Sequence, residues 1–231
     1  MHKLVWDHVG GKVAAGPFKG MKYIGESFYS AYMPKLLGIY EREVYPFIES
    51  AIAKKFPVIL DIGAAEGYYA CGMAIRCADS KIIAFEGEQE ARKLNAQMAK
   101  INGVSDRIDI RGYCTRAEVK TILAETDRAL LIVDCEGYEH ILLDPLRSPD
   151  LAKATILVEC HDFLVAGLTE ELKERFAPTH DITQIMAIPR NASEFPKTTL
   201  YTRALGNARI THAVNEWRPV QMWWLWMTPR K

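Results

Sequence analysis

The sequence has no excess of either charge: Lys+Arg and Asp+Glu both number 29 in 231 residues. A general polyanion-binding surface is therefore not indicated, which leaves only a local basic patch as a route to nucleic acid. No apolar run approaches the roughly 20 residues that a membrane-spanning helix needs. The five cysteines (Cys71, Cys77, Cys114, Cys135, Cys160) include no C-x-x-C pair. They read as reduced, mostly buried thiols of a cytoplasmic protein. Met1–Gly10 carries Asp7 and two histidines and lacks a signal-peptide core. Gly10-Gly11-Lys12 is not a P-loop, because the spacing is wrong and no Ser or Thr follows the lysine. Internal repeats and low-complexity linkers are also missing. What remains is a chain with 49% apolar residues, enough for a sizeable core, and a length that suits one domain with decorations.

The most informative stretch is 58–70, Val-Ile-Leu-Asp-Ile-Gly-Ala-Ala-Glu-Gly-Tyr-Tyr-Ala. An apolar strand closes on Asp61, Gly63 and Gly67 bracket a tight turn, and a helix follows from Tyr68. Strand, glycine turn and helix N-terminus together make a cofactor cradle. The dinucleotide fingerprint G-x-G-x-x-G is absent. Asp61 before the turn and Glu66 inside it would repel a pyrophosphate and suit a cationic ligand. The pattern D-x-G-x-x-x-G is similar to motif I of class I S-adenosylmethionine (SAM) methyltransferases, whose cofactor carries a cationic sulfonium.

Strands and helices then alternate. Strands are expected at 58–62, 82–86, 108–111, 129–134 and 155–159, and helices at 67–77, 88–102, 116–125, from 138 to before Pro145, and 169–176. This rhythm argues for a parallel sheet with helices on both faces. Before it, 34–55 has helical periodicity, with a break expected near Pro46, and is expected to pack over the mouth of the core domain. After it, 182–188 reads as a sixth strand and 189–219 as an irregular insertion. The block Met222–Met227 (MWWLWM) is apolar on both faces, so it reads as a last strand inside the sheet rather than a membrane anchor. The chain thus divides into an N-terminal cap, 1–57, and a core domain, 58–231.

Ligands bind at the carboxyl ends of strands in such sheets. Those ends hold Asp61, Glu86, Gly112-Tyr113, Asp134-Cys135-Glu136-Gly137 and Glu159-Cys160-His161-Asp162. Buried carboxylates cost free energy unless paired, so their gathering points to function. Glu86, 19 residues after Gly67, can accept hydrogen bonds from both ribose hydroxyls. His161 is the natural general base; Asp134, Glu136 and Glu159 could orient it or hold an acceptor hydroxyl. Alternatively, Asp134 and Glu159 with His161 or Asp162 could bind a divalent ion. Glu139 and His140 are expected to face solvent or pack. Glu216 and Arg218 are expected to pair with each other.

The run Asp61–Ala70, then Ala84-Phe-Glu86 with Asn95 and Asn102-Gly103, then Val133-Asp-Cys-Glu-Gly-Tyr-Glu139, then Val158-Glu-Cys-His161, resembles the FkbM-type SAM-dependent methyltransferases. The resemblance covers about 58–162. It implies an α/β, Rossmann-like class I methyltransferase sheet of about seven strands whose last hairpin is antiparallel. It implies O-methylation of a hydroxyl on a small molecule or sugar, with SAM as cofactor. The cofactor residues are then Asp61, Gly63, Ala65, Gly67, Tyr68, Glu86, Tyr113 and Asp134, with Tyr113 stacking on the adenine or packing beside it. The catalytic set is Asp134, Glu136, Glu159 and His161. A small-molecule acceptor is expected, no nucleic acid or membrane, and a homodimer is compatible. Nicotinamide oxidoreductases, aminopropyl transferases and non-catalytic SAM binders share the fold and are the rivals. The signature of amino-methylating enzymes, Asp or Asn before two prolines and an aromatic residue, is absent after the fourth strand.

Overall fold

Ala129–Val133 is buried along its whole length and alternates its contacts. Leu130 and Ile132 enter one hydrophobic core while Leu131 and Val133 enter the other. That is the period of two expected of a central strand covered on both faces. The computed structural model describes residues 2–28, 30–195, 203–204 and 206–230. Its sheet has seven strands: β1 (Val58–Ile62), β2 (Lys81–Phe85), β3 (Ile108–Arg111), β4 (Ala129–Val133), β5 (Thr155–Cys160), β6 (His180–Met186) and β7 (Trp223–Pro229). Their order is β3-β2-β1-β4-β5-β7-β6. The first five are parallel, so their carboxyl ends form one rim. The aromatic block enters the sheet between β5 and β6, antiparallel to both, with Trp223 opposite Cys160. It therefore starts at the same rim. This is the expected sheet, closing hairpin included.

The helices that follow the strands are α4 (Tyr68–Arg76), α5 (Gln89–Asn102), α6 (Arg116–Ala124), α7 (Glu139–Leu142) and α8 (Leu168–Phe176). Asn102-Gly103 ends α5 as its composition suggests, with Gly103 left-handed at φ 69°. A capping box of Thr115 and Glu118 opens α6. α4 and α5 cover one face of the sheet, and α6 and α8 the other.

The N-terminal segment carries α1 (His2–Val9), α2 (Tyr32–Leu37) and α3 (Tyr45–Lys54). Val13, Phe18, Tyr23, Leu36 and Ile48 are all buried in the same core as α4 and α5. The helix break expected near Pro46 lies earlier. Left-handed Gly38 ends α2, and Pro46 sits in the first turn of α3, where a missing N–H leaves no helical bond unmade. The region 189–219 is not wholly irregular. It holds a short 3₁₀ turn (Ala192–Glu194) and α9 (Asn207–Val214), while residues 196–202 and 205 lie outside the described residues. Among the described residues, no helix is long and apolar enough to cross a membrane, and the five cysteines are free thiols.

Candidate active site

The turn after β1 is fixed by backbone contacts. Gly63 has φ +87°, and a Cβ built there would lie 1.6 Å from the Asp134 carbonyl oxygen, so no other residue fits. The Gly63 and Ala64 amides both donate to the Phe85 carbonyl, at 2.9 and 3.0 Å. Ala65, left-handed at φ 44°, donates its amide to Glu86 Oε2 at 2.8 Å. The Glu88 amide donates to Glu86 Oε1 at 2.8 Å. Glu86 is thus braced between two turns at the end of β2. Gly67 is left-handed too and lies against Asn95, whose Oδ1 would stand 2.6 Å from an added Cβ; it packs α4 onto α5 and lines neither of the two cavities at the sheet's rim.

Asp61 is buried, and its Oδ2 has no hydrogen-bond partner among the described residues. Burial, only partly offset by the Ala70 amide, pushes its carboxyl up to about 7. Glu66 behaves otherwise. It does not line the cavity over this turn and is held by Lys35 Nζ at 2.6 Å, Tyr23 Oη at 2.5 Å, Ser27 Oγ at 3.2 Å and the Phe28 amide at 3.1 Å. Burial alone would raise its pKa, but Lys35 and these bonds hold it below the usual carboxylate value. Glu66 therefore anchors the N-terminal segment and is not the cation-facing charge expected from the motif.

A cavity of about 590 Å³ opens over this turn. Asp61, Gly63, Ala65, Tyr68, Glu86 and Tyr113 line it, and Asp134 forms its far wall. Tyr113 sits at the mouth, 76% exposed, with its ring against Gly87. A second cavity of about 490 Å³ adjoins the first and shares Ser30, Tyr40, Asp134 and Glu136 with it. Its own walls include Glu41, Glu159, His161, Trp217 and Arg218.

His161 is 2% exposed and held from behind: its Nδ1 lies 2.8 Å from Glu139 Oε1. Glu139 is fully buried and also accepts the Cys135 amide at 3.0 Å. Burial would lower the His161 pKa, but the bond to Glu139 and the charges of Asp134, Glu139 and Glu159 outweigh it and raise the value to about 9. Glu139, expected to face solvent or pack, is buried and does more than pack: it braces His161. Its place in the D-x-E-G-x-E segment, five residues after Asp134, was the available signal. His140 packs locally, with Nδ1 2.7 Å from the Gly137 carbonyl. Asp162 does not reach the site; it accepts the Thr169 amide at 3.1 Å in front of α8.

Arg218 closes the second cavity. It bridges Glu159, Glu41 at 3.3 Å and Glu216 at 3.3 Å. The expected Glu216–Arg218 pair exists but belongs to a larger lattice, in which buried Arg190 also binds Glu43, and Glu216 at 2.7 Å. Tyr69 donates to Glu41 Oε2 at 2.5 Å. Burial pushes Glu41 up to about 7 against the pull of Arg218. Burial and the neighbouring Asp134 charge also raise Glu159. Nothing in the sequence pattern pointed to Glu41 as a partner of Arg218. Of the five non-glycine residues with positive φ among the described residues, Glu41, Ala65, Glu136 and Trp217 line the two cavities, and only Lys55 does not. Such conformations cost about 1–2 kcal/mol each and persist where the surroundings over-determine them.

No family model and no curated protein matches the sequence. Solved structures do resemble it. A human methyltransferase 10 domain containing protein aligns over 98% of this chain and 91% of its own, at 12% identity and a TM-score of 0.51. TrmN from Thermus thermophilus aligns over 87% of this chain, at 15% identity and a TM-score of 0.50. The chain spans about half of that protein, 53%. Likeness at these identities is one of architecture: the chain has the Rossmann-like fold of class I methyltransferases.

Proposed function

We propose that this protein is a SAM-dependent O-methyltransferase of FkbM type, acting on a hydroxyl of a small molecule or sugar. The observation that carries the reading is the pair of adjoining cavities with Asp134 in their common wall. One is suited to a cationic cofactor and the other ends on an oriented histidine. The two segments that carry the family resemblance, Asp134–Glu139 and Glu159–His161, meet at that wall.

The residues fit SAM. Asp61 offers a buried carboxylate oxygen that no protein group satisfies, and a cationic ligand would relieve its desolvation. The Gly63 turn leaves room where any side chain would collide. Glu86 stands at the end of β2, where its carboxylate suits ribose hydroxyls, and Tyr113 offers a ring face to adenine. SAM supplies an electrophilic methyl group on a sulfonium. The protein must then align a hydroxyl with it and take that hydroxyl's proton. His161 Nε2 faces the acceptor cavity, with Glu139 fixing the ring from behind; because its pKa is raised to about 9, the ring is free to accept that proton increasingly as pH rises toward 9. Arg218 holds Glu159 and Glu41 in place, so the acceptor meets a rigid polar wall.

The test is turnover with methyl-labelled SAM across a panel of hydroxylated small molecules and sugars. His161→Ala and Glu139→Gln are expected to lower turnover on the order of 10²-fold or more while leaving S-adenosylhomocysteine (SAH) affinity unchanged. Undiminished turnover in His161→Ala would contradict the assignment.

A further inference from the structure

The mechanism above uses His161 as a proton acceptor and leaves unexplained why two further carboxylates converge on its outer nitrogen. His161 Nε2 makes no hydrogen bond to any described residue. Its neighbours are Asp134 Oδ1 at 3.5 Å and Glu136 Oε2 at 3.6 Å. Both are too long for good hydrogen bonds. Two ligands each about 2.1 Å from one cation, at a tetrahedral angle, stand about 3.4 Å apart. The observed spacings fit ligands around a common ion. The three atoms also lie within 4.8 Å of one another.

We propose that Asp134, Glu136 and His161 form a binding site for a divalent first-row transition ion, of the Mn²⁺, Co²⁺ or Zn²⁺ class. Four observations carry this site beyond a cluster of acids. The side chain of His161 is almost wholly buried, yet its free nitrogen is aimed into the cluster. Glu139 accepts the hydrogen on Nδ1, so Nε2 is the nitrogen that can ligate once an ion displaces the proton that the surrounding carboxylates favour there; a carboxylate behind a ligating histidine is the usual second layer of a metal site. Neither the Asp134 nor the Glu136 carboxylate accepts a hydrogen bond from a described residue, so both are free to ligate. Glu159, at 3.9 Å from Nε2, is already bound by Arg218 and stays out of the set. One imidazole among oxygen ligands favours a transition ion over Mg²⁺ or Ca²⁺. Three protein ligands leave positions open toward the acceptor cavity, where a substrate hydroxyl could complete the sphere. The site itself does not depend on the methyl-transfer reading, but it changes the part His161 plays in it: with an ion bound, His161 would be a ligand and not the proton acceptor, and the ion would instead ease loss of the proton from a substrate hydroxyl bound to it.

The experiment uses the full chain after chelator treatment. It is titrated by calorimetry with MnCl₂, CoCl₂, ZnCl₂ and MgCl₂, and the Co²⁺ sample is followed by its visible d–d absorption. The expected result is one site per chain for the transition ions, at least about tenfold tighter than for Mg²⁺. His161→Ala should abolish the Co²⁺ spectrum. Glu139→Gln should weaken binding about 10–100-fold, as loss of a supporting carboxylate does elsewhere. Glu136→Gln covers the case in which His161→Ala fails to fold: its side chain is 75% exposed, so it should lose affinity with unchanged melting temperature. Absence of a Co²⁺ spectrum in the wild type, or binding unaltered by Glu136→Gln and His161→Ala, overturns the proposal. SAH titrated into the same metal-free sample reports on the methyl-transfer reading separately, so either can fail alone.

Discussion

The two adjoining cavities are built by different means. The first is made of backbone. Its turn, its glycine and its braced glutamate come from two consecutive strand–turn–helix units, and its key contacts are made by main-chain atoms of the turn, to Phe85 and Glu86 on the next strand and to the Asp134 carbonyl on β4. The second is made of side chains that arrive from distant parts of the chain: Glu41 before α3, Asp134 and Glu159 at two strand ends, Arg218 ahead of β7. The first is rigid by geometry, since nothing larger than Gly63 fits beside the Asp134 carbonyl. The second is rigid by charge, since Arg218 and Arg190 hold buried carboxylates that would otherwise repel. A cavity shaped by backbone suits a ligand that never changes. One shaped by long-range ion pairs is easily varied, which suits the acceptor role proposed for it.

Four substitutions test this contrast, beginning with the most damaging. Gly63→Ala drives a methyl group into the β4 carbonyl, so it should cost about 4 kcal/mol or more. The melting temperature should then fall by about 10 °C and SAH binding should vanish. A near-normal melting temperature would show that the turn is not geometrically fixed. Arg218→Met leaves Glu159 and Glu41 buried without their countercharge and should cost about 3–5 kcal/mol. It should nevertheless keep SAH affinity within about twofold, as expected of a site not shared with the cofactor. A large loss of SAH binding would mean that the cavities are not separable.

Asp61→Asn probes the charge of the first cavity. Its folded pKa of about 7 lies above the ordinary value near 3.9. The neutral form is therefore favoured in the fold, and its contribution is complete below about pH 4 and lost as pH rises through about 7. The variant should melt no higher than the wild type near pH 4 but several degrees higher at pH 8. Its SAM affinity should drop on the order of 10–100-fold, the loss of one charge-assisted contact. Thermal melts across pH, paired with titrations, check both. Tyr113→Ala should do least. Losing one ring face costs about 0.5–1.5 kcal/mol of SAH affinity, with the melting temperature unchanged for so exposed a residue.

The contrast also explains what could be read from the sequence. Asp61, Gly63 and Glu86 announce themselves because strand ends and glycine turns are local patterns, and the alternation of strands carries the sheet. The closing strand was legible from the two-faced apolarity of the tryptophan block. Glu66 misled: its position in the turn suggested a ligand contact, but Lys35, thirty-one residues earlier, takes its charge. Glu139 was set aside because a residue at the start of a helix is expected to face solvent or pack, whereas α7 is only four residues long and its first residue is buried against His161. The Glu41–Arg218 contact spans 177 residues, a distance over which no spacing rule operates.

The most direct test is a calorimetric titration of the wild-type chain at pH 8 with SAH, set beside NAD⁺ and decarboxylated SAM. The proposed cofactor site requires that SAH bind at one site per chain, with a dissociation constant of about 10 µM or tighter, and that NAD⁺ give no heat. Binding of NAD⁺ in place of SAH, or no heat from SAH, would contradict it.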